Sequence, residues 1–283
     1  MALTGFHTNW QEGSYEDDRN DFLKRNENIF LYRGNLQYLR PYYDGSIAIG
    51  YGLDLLVNDD ATINSYLSDA GLATLTLSKE DADLLAAARA STLTGKARKD
   101  YLTSVANSLS ITLPSEPDAA RLLDVIADKY DAALDVALGG SNQLLQSKER
   151  IAVMSLLYTM TTPTSAAIRA TIPSTIRAIQ NDNRSEAWYE IRYNSNGDRG
   201  HASRRYTESD MFNLYDDGLS VEGVKEVMRM YTIHERDIEQ YQRSFPPPSS
   251  IQTEISLAKG YLISWFGDNK ITEGDNVIVG RGL

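Results

Sequence analysis

Two acidic residues near the N-terminus, Glu27 and Asp54, have the type and placement that acid–base chemistry on a sugar requires. Asp54 lies in the segment Ser46–Leu55, which combines β-branched residues with two closely spaced glycines, Gly50 and Gly52. Hydrolysis of a glycosidic bond uses two carboxyl groups. One protonates the leaving oxygen, and the other activates water or stabilises the developing positive charge. Glu27 and Asp54 are the first candidates for these roles.

Two elements must position these acids. The sequence predicts a short helix over Arg19–Asn26, with Glu27 at its end. From Ile29 to Leu56, aromatic and β-branched residues alternate with turn signals such as Asp44-Gly45, a pattern that predicts hairpins and the only sheet of the chain. The two acids would then bracket a glycine-bent hairpin.

The remainder is predicted to be helical, because apolar residues recur at spacings of three and four. One helix starts at Ser78–Asp81, and a longer one starts at Pro117 and ends at Gly139-Gly140. Lys148–Met160 is apolar on several sides, as expected of a buried central helix. Further helices are predicted over Pro173–Gln180, Ser185–Tyr193, Glu208–Tyr215 and Val221–Phe245.

These patterns predict an α+β, predominantly helical fold. Residues 1–245 are expected to form one catalytic domain with its core at 18–217. A stiff Pro/Ser linker follows over 246–250, and then a C-terminal extension over 251–283.

Composition argues against several classes of function. The net charge of −11, without a long Lys/Arg run, argues against nucleic-acid binding. The absence of cysteine excludes disulfides, thiolate metal sites and cysteine nucleophiles. The histidines His7, His201 and His234 are too scattered for a zinc site, so no metal or organic cofactor is expected. No apolar run approaches the roughly 18–20 residues of a membrane span.

Three segments together resemble phage-type lysozymes, in the version found in pesticin-like muramidases. Phe22–Asn28 carries a glutamate at a helix end. Ile47–Leu55 is similar to the Thr-Ile-Gly-Tyr-Gly signature of the family followed by Asp-Leu. Lys148–Met160, with Ile172–Ile176 and Trp188–Asn194, is similar to the family's buried helix and to the helices that close the far side of its cleft. The resemblance covers residues 18–217.

The resemblance implies a lysozyme-like, two-lobed fold in which a small β-hairpin lobe and a helical lobe flank a sugar-binding groove. It implies hydrolysis of the β-1,4 bond between N-acetylmuramic acid and N-acetylglucosamine, and hence bacterial lysis. By position, Glu27 matches the general acid and Asp54 matches the second carboxylate. In shorter phage enzymes that carboxylate precedes the glycine signature, where Asp44 is the nearest equivalent.

Other positions are expected to contact the substrate. Within the signature these are Ala48, Tyr51 and Gly52, and in the helical lobe they are Arg192, Tyr193 and Asn194. The family usually has threonine at the position of Ala48, and its hydroxyl helps to hold the attacking water. Ser46 lies on the same strand face by two-residue alternation and is the candidate substitute.

Each candidate also has a structural interpretation. Glu27 could be a solvated residue at a helix end, Asp54 could cap a helix beginning near Leu55, and Asp44 could simply form a turn. The segment Arg192–Asn194 could be a helix C-terminal turn. His201 and Arg204-Arg205 could contact the glycan or the peptide stem, but they are expected to be solvated surface. The tyrosines near the signature could stack on sugars or pack the small lobe; they are Tyr32, Tyr38, Tyr42, Tyr43 and Tyr51.

Two other classes of function stay open. Ala48 suggests a catalytically impaired module that binds peptidoglycan, and the acidic charge suggests a structural virion or secretion component that retains the fold. The partners implied are peptidoglycan glycan strands, together with an immunity or delivery protein if the chain is a toxin. Because Met1–His7 lacks a signal-peptide pattern, the protein is expected to be made in the cytoplasm and to reach the cell wall by release, injection or secretion.

Overall fold

The computed structural model describes residues 14–140, 144–160, 162–195, 201–214, 221–247 and 250–266. The predictions for Met1–His7, and for the tail beyond Phe266, fall outside these ranges. The chain divides into two compact units. We call Glu16–Lys129 the sheet unit, and the described residues outside that range the helical unit.

The described residues are mostly helical and include one small three-stranded antiparallel sheet, which confirms the predominantly helical α+β class. The elements of the sheet unit, in chain order, are α1 (Tyr15–Glu27), α2 (Ile29–Tyr32), a 3-10 turn (Leu36–Leu39), β1 (Tyr42–Tyr43), β2 (Ile47–Ile49), β3 (Leu53–Asp54), α3 (Asp60–Asp69), α4 (Lys79–Arg89), α5 (Gly95–Ser108) and α6 (Glu116–Leu138). Helix α1 belongs to this unit from Glu16, and helix α6 belongs to it as far as Lys129.

Helix α1 carries acidic residues in its first turn and basic residues in its last, an order that the helix dipole favours. Its Arg19 is almost fully buried and pairs with two carboxylates of α6, Asp124 at 2.8 Å and Asp128 at 2.9 Å. On the same helix Leu23 is completely buried. These contacts fix the helix that ends at Glu27.

The segment that follows Glu27 differs from the prediction, because Ile29–Tyr32 and Leu36–Leu39 are short helical turns rather than parts of a hairpin. The Asn28 side chain accepts a hydrogen bond from the Leu31 amide at 2.9 Å, and the Asn35 side chain accepts one from Gln37 at 3.2 Å. Such side-chain caps satisfy amides that a helical turn leaves without partners, so each asparagine starts a short turn. The sheet therefore begins only at Tyr42.

The sheet has the order β1-β2-β3, and both pairings are antiparallel. Its register places Tyr42 opposite Ala48, and Ala48 opposite Asp54. Residues directly opposite each other share a sheet face. Tyr42, Ala48 and Asp54 therefore form one row across the sheet, with the smallest side chain in the middle.

The helical unit contains α7 (Lys148–Met160), α8 (Ser165–Thr171), α9 (Pro173–Gln180), α10 (Arg184–Tyr189), a π-helical turn (Glu190–Asn194), α11 (Ala202–Phe212), α12 (Val221–Ser244) and α13 (Ser250–Phe266). Helix α7 is buried along most of its length and packs against α11, which confirms the predicted central helix. Helix α11 begins six residues before the predicted start, and α13 starts within the predicted linker. No single helix in the described ranges is long and apolar enough to span a membrane, although α7 and α8 pass that test together as a bent pair.

Buried ion pairs occupy the interior of the helical unit. Glu149 and Arg184 are both completely buried, and their side chains approach to 2.5 Å. The buried carboxylate of Glu208 accepts from Arg204 at 2.8 Å and also pairs with Arg205, which is 1% exposed. The prediction that Arg204-Arg205 is solvated surface is therefore wrong for Arg205, whose charge has a partner one helical turn away.

Candidate active site

The end of α1 is joined to the glycine turn of the sheet by hydrogen bonds. Asn28, which directly follows Glu27, donates from its side-chain amide to the Gly50 carbonyl at 3.0 Å. The Tyr42 hydroxyl donates to the same carbonyl at 3.3 Å. Glu27 itself is the last residue of α1 and is partly buried. The candidate acid thus lies next to a small polar centre formed by Asn28, Tyr42 and Gly50.

The Tyr42 hydroxyl is influenced by two of the candidate carboxylates. Burial raises the pKa of Tyr42 well above its ordinary value, and the negative charges of Asp44 and Glu27 add to the rise. A hydrogen bond with Asn28 opposes the shift of the pKa. Tyr42 is therefore a neutral phenol at physiological pH, able to donate a hydrogen bond while it lies near negative charge.

Asp54 is held in one orientation. Its Oδ1 accepts hydrogen bonds from Ser46 Oγ at 2.9 Å, from the Leu56 amide at 2.7 Å and from the Val57 amide at 2.9 Å. Its Oδ2 makes no hydrogen bond within the described residues. The capping interpretation is thus correct for a short turn after β3, whereas the next helix begins only at Asp60. One carboxylate oxygen is structural, and the other remains available to a ligand.

Ser46 contacts Asp54, as its predicted role beside the second carboxylate requires. Its hydroxyl donates to Asp54, while Ala48 lies beside Asp54 in the sheet without a polar group of its own. Ala48 is only 3% exposed, so direct contact of its side chain with a sugar is disfavoured. Ser46 therefore supplies a hydroxyl next to Asp54. That this hydroxyl holds the attacking water stays a prediction.

Asp44 occupies the turn between β1 and β2. Its carboxylate accepts from the Ser46 amide at 3.3 Å, which confirms the turn-forming interpretation. Although the residue is exposed, partial desolvation raises the pKa of its carboxyl, and the Asp54 charge raises it further. The two aspartates therefore influence each other, and Asp44 remains the second choice for catalysis.

The signature glycines serve the packing of the loop. Gly50 has φ +65°, and its amide donates to the Tyr38 carbonyl at 2.9 Å. A β-carbon on Gly50 would lie 2.9 Å from Leu113 Cδ1 and 3.4 Å from Ala119 Cβ. Gly52 also has a positive φ, of 90°. Both positions need backbone geometry that glycine adopts without strain, and Gly50 also needs the space.

We expect Gly50→Ala to lower the free energy of unfolding by about 1–3 kcal/mol, because the left-handed backbone and the contact with Leu113 both oppose a side chain. Gly34→Ala is the matched control, since Gly34 has φ +89° with nothing within 4 Å of an added β-carbon. Urea denaturation measures both variants. Equal losses would show that only the backbone conformation matters and that the close contact is relieved at no cost.

Tyr51 points into the protein. It is 3% exposed, and its hydroxyl donates to Glu116 at 2.6 Å. Lys24 lies 3.5 Å from the same carboxylate. Burial and the nearby Glu116 raise the pKa of Tyr51, so it is a neutral donor. Tyr51 therefore packs the signature loop, and its burial argues against stacking on a sugar.

Two polar residues that support the site were not among the sequence candidates. Arg89, at the end of α4, donates to the carbonyls of Leu55, Leu56 and Asn58 at 2.7–3.3 Å and pairs with Asp60 at 2.8 Å. It thereby holds the turn whose amides bind Asp54. Asn28 has a local signal, because a cap-type residue directly follows the glutamate at a helix end. Arg89 has none, because its contacts are distant in sequence.

The candidates in the helical unit are mostly buried. Arg192 is completely buried between the rings of Trp188 and Tyr206, and it donates to Ser209 at 2.8 Å and to Asp210 at 2.7 Å. These contacts favour the structural interpretation of Arg192. Its complete burial argues against direct contact with a substrate.

The next two residues differ in exposure. Tyr193 is 6% exposed, and its hydroxyl accepts from Gln242 at 3.0 Å. Asn194 is exposed at the end of the π-helical turn and donates to Glu190 at 2.7 Å. Of the three helical-unit candidates, only Asn194 is exposed to solvent. Its predicted contact with the substrate is therefore the only one of the three that burial does not disfavour.

Comparison of this chain with protein-family models, with curated proteins and with solved structures finds no match. Within the described ranges, no group of three or more His, Asp or Glu side chains is arranged to hold a metal ion. The side chains that suggest a function therefore lie in the sheet unit, where an acid at a helix end adjoins a small sheet that carries a fixed carboxylate.

Proposed function

We propose that this chain is a muramidase, which hydrolyses the β-1,4 bond between N-acetylmuramic acid and N-acetylglucosamine in bacterial peptidoglycan. The observations that carry the proposal are the link from the helix end at Glu27 to the sheet, made by Asn28 and Gly50, and the Asp54 carboxylate of that sheet, which is held through one oxygen. A lysozyme-like two-lobed fold is part of the same proposal. The protein would act on the wall after release, injection or secretion and would lyse the cell.

In this mechanism Glu27 protonates the glycosidic oxygen as the bond breaks. The free Oδ2 of Asp54 orients water or stabilises positive charge at the anomeric carbon. Tyr42 remains neutral and can donate to a sugar hydroxyl, because its phenol lies among negative charges that disfavour its ionisation. The three donors on Asp54 Oδ1 keep the carboxylate in place during the reaction, so little reorganisation is needed.

Asp54 is a better second carboxylate than Asp44. It lies in a strand, in the same row as Ala48 and Tyr42, and its orientation is fixed by three donors. Asp44 is exposed in a turn, and the hydrogen bond that its carboxylate accepts from the Ser46 amide is part of that turn. Catalytic groups need a supporting structure that limits their motion, and only Asp54 has it.

The test is the release of soluble muropeptides from purified peptidoglycan, with borohydride reduction and mass analysis to identify the new reducing end. We expect N-acetylmuramic acid at that end. We also expect Asp54→Asn to slow release by roughly 10²- to 10⁴-fold, because asparagine keeps the Oδ1 acceptor but removes the charge. Asp44→Asn keeps its turn and is expected to leave the rate close to that of the wild type.

Other outcomes separate the alternatives. Binding to the wall without release of any reducing end would replace the hydrolase proposal with a peptidoglycan-binding module, the class that Ala48 suggests. Neither binding nor release would favour a structural component. Loss of activity in Asp44→Asn but not in Asp54→Asn would move the second carboxylate to the turn.

A further inference from the structure

A group of aromatic rings continues from the candidate acids to the surface. We define the aromatic shelf as Phe30, Tyr38 and Tyr42. Phe30 and Tyr38 are stacked, with their centroids 5.8 Å apart and their planes 9° apart. Tyr38 meets Tyr42 edge to face at 4.8 Å. Tyr42 in turn hydrogen-bonds to the Gly50 carbonyl that Asn28 also contacts.

The outer member of the shelf is unusually open. Phe30 is 57% exposed, although it is a large apolar side chain in a short helix. A single exposed hydrophobic residue needs no explanation. Here, however, the ring is stacked on Tyr38, Tyr38 contacts Tyr42, and the charge of Glu27 acts on Tyr42. The order is therefore an exposed aromatic ring, then two phenols, then the candidate acid.

We propose that Phe30 and Tyr38 form a stacking subsite for one sugar ring of a glycan strand, next to the bond that Glu27 would cleave. This inference rests on the proposed function and extends it by naming residues that bind substrate away from the reacting atoms. Pyranose rings present an apolar C–H face, and the electron-rich face of an aromatic ring suits it.

The surrounding charge selects among ligands with flat apolar faces. The negative charges of Asp44 and Glu27 both act on Tyr42, and the charge of Asp54 acts on Asp44. A phosphate group placed close to Tyr42 would be repelled by these carboxylates. A neutral N-acetylated sugar would not, and it offers hydroxyl and amide groups to the nearby phenol and carboxylates.

The experiment measures binding of N-acetylchitohexaose by titration calorimetry, with Glu27→Gln as the background so that hydrolysis is too slow to disturb the titration. Phe30→Ala in this background is expected to weaken binding by roughly five- to tenfold, since one aromatic contact is lost. Phe30→Tyr keeps the ring and should bind like the parent. Leu36→Ala is the matched control, because Leu36 is an apolar residue of nearly equal exposure, 58%, in the same segment.

Phe30→Ala in the otherwise wild-type chain should raise KM for soluble peptidoglycan fragments with little change in kcat, as expected for a contact made equally in the ground and transition states. Equal binding by Phe30→Ala and Leu36→Ala, in a chain that still releases reducing ends, would overturn the shelf but not the hydrolase. A wild-type chain that neither binds the hexasaccharide nor releases reducing ends would overturn both.

Discussion

Replacement of Glu27 by glutamine is expected to reduce muropeptide release by roughly 10²- to 10⁴-fold, the usual contribution of a general acid. Glutamine has nearly the same shape as glutamate but cannot give a proton to the leaving oxygen. Because Glu27 is the last residue of α1, and the link from Asn28 to Gly50 does not involve its side chain, that link should persist in the variant. The measurement is the initial rate of reducing-end formation at several pH values.

Glu80→Gln is the control for this substitution. Glu80 is exposed in the first turn of α4 and undergoes the same chemical change. We expect its rate and its thermal unfolding to match those of the wild type. If Glu27→Gln retained wild-type activity, Glu27 could not be the general acid, and the catalytic assignment would fail even if wall hydrolysis itself were observed.

The largest expected effect on stability belongs to Glu208 in the helical unit. Its carboxylate accepts from Ser155 and Arg204, each at 2.8 Å, and pairs with the buried Arg205. Glu208→Gln removes the negative charge and leaves two guanidinium groups at a buried position. We expect a loss of about 3–5 kcal/mol in the free energy of unfolding, the usual consequence of removing one partner from a buried pair.

Glu239→Gln provides the comparison, because it breaks an exposed i,i+4 pair with Arg243 at 3.1 Å in the same unit. That loss should be less than about 1 kcal/mol. Guanidinium denaturation, followed by circular dichroism, measures both variants. Similar losses for the two substitutions would mean that water reaches the guanidinium of Arg205, so that the charge of Glu208 is not needed to stabilise it.

The sequence was most informative where the pattern is long and periodic. Lys148–Met160 agrees with α7, and Val221–Phe245 agrees with α12 to within one residue, because many residues contribute to each pattern. It was least informative after Glu27, where aromatic and β-branched residues favoured strands but Asn28 and Asn35 started short helical turns instead. A local cap outweighed a composition signal over a few residues.

The site shows the same division. The signature and its turn could be read from glycines and an Asp-Gly pair, since both have local causes. Strand alternation predicts that Ser46 shares a face with Ala48, whereas its hydrogen bond to Asp54 also depends on the pairing of Ala48 with Asp54, which alternation alone does not give. The contact from Tyr51 to Glu116 could not be predicted, because the partner is 65 residues away and no spacing rule links the two. Burial of Arg192 was likewise invisible, since arginine is usually exposed.

The contacts of Arg89 set a lower limit on the length of a fragment that keeps the candidate site in place. Every proposed catalytic residue lies between Glu27 and Asp54, yet the turn that orients Asp54 is tied to α4 through Arg89. The tyrosine of the signature is tied still further along, to Glu116. A shortened chain, or a graft of the signature onto another scaffold, must therefore include α6 as far as Asp128, which pairs with Arg19 of α1, or supply equivalent contacts of its own.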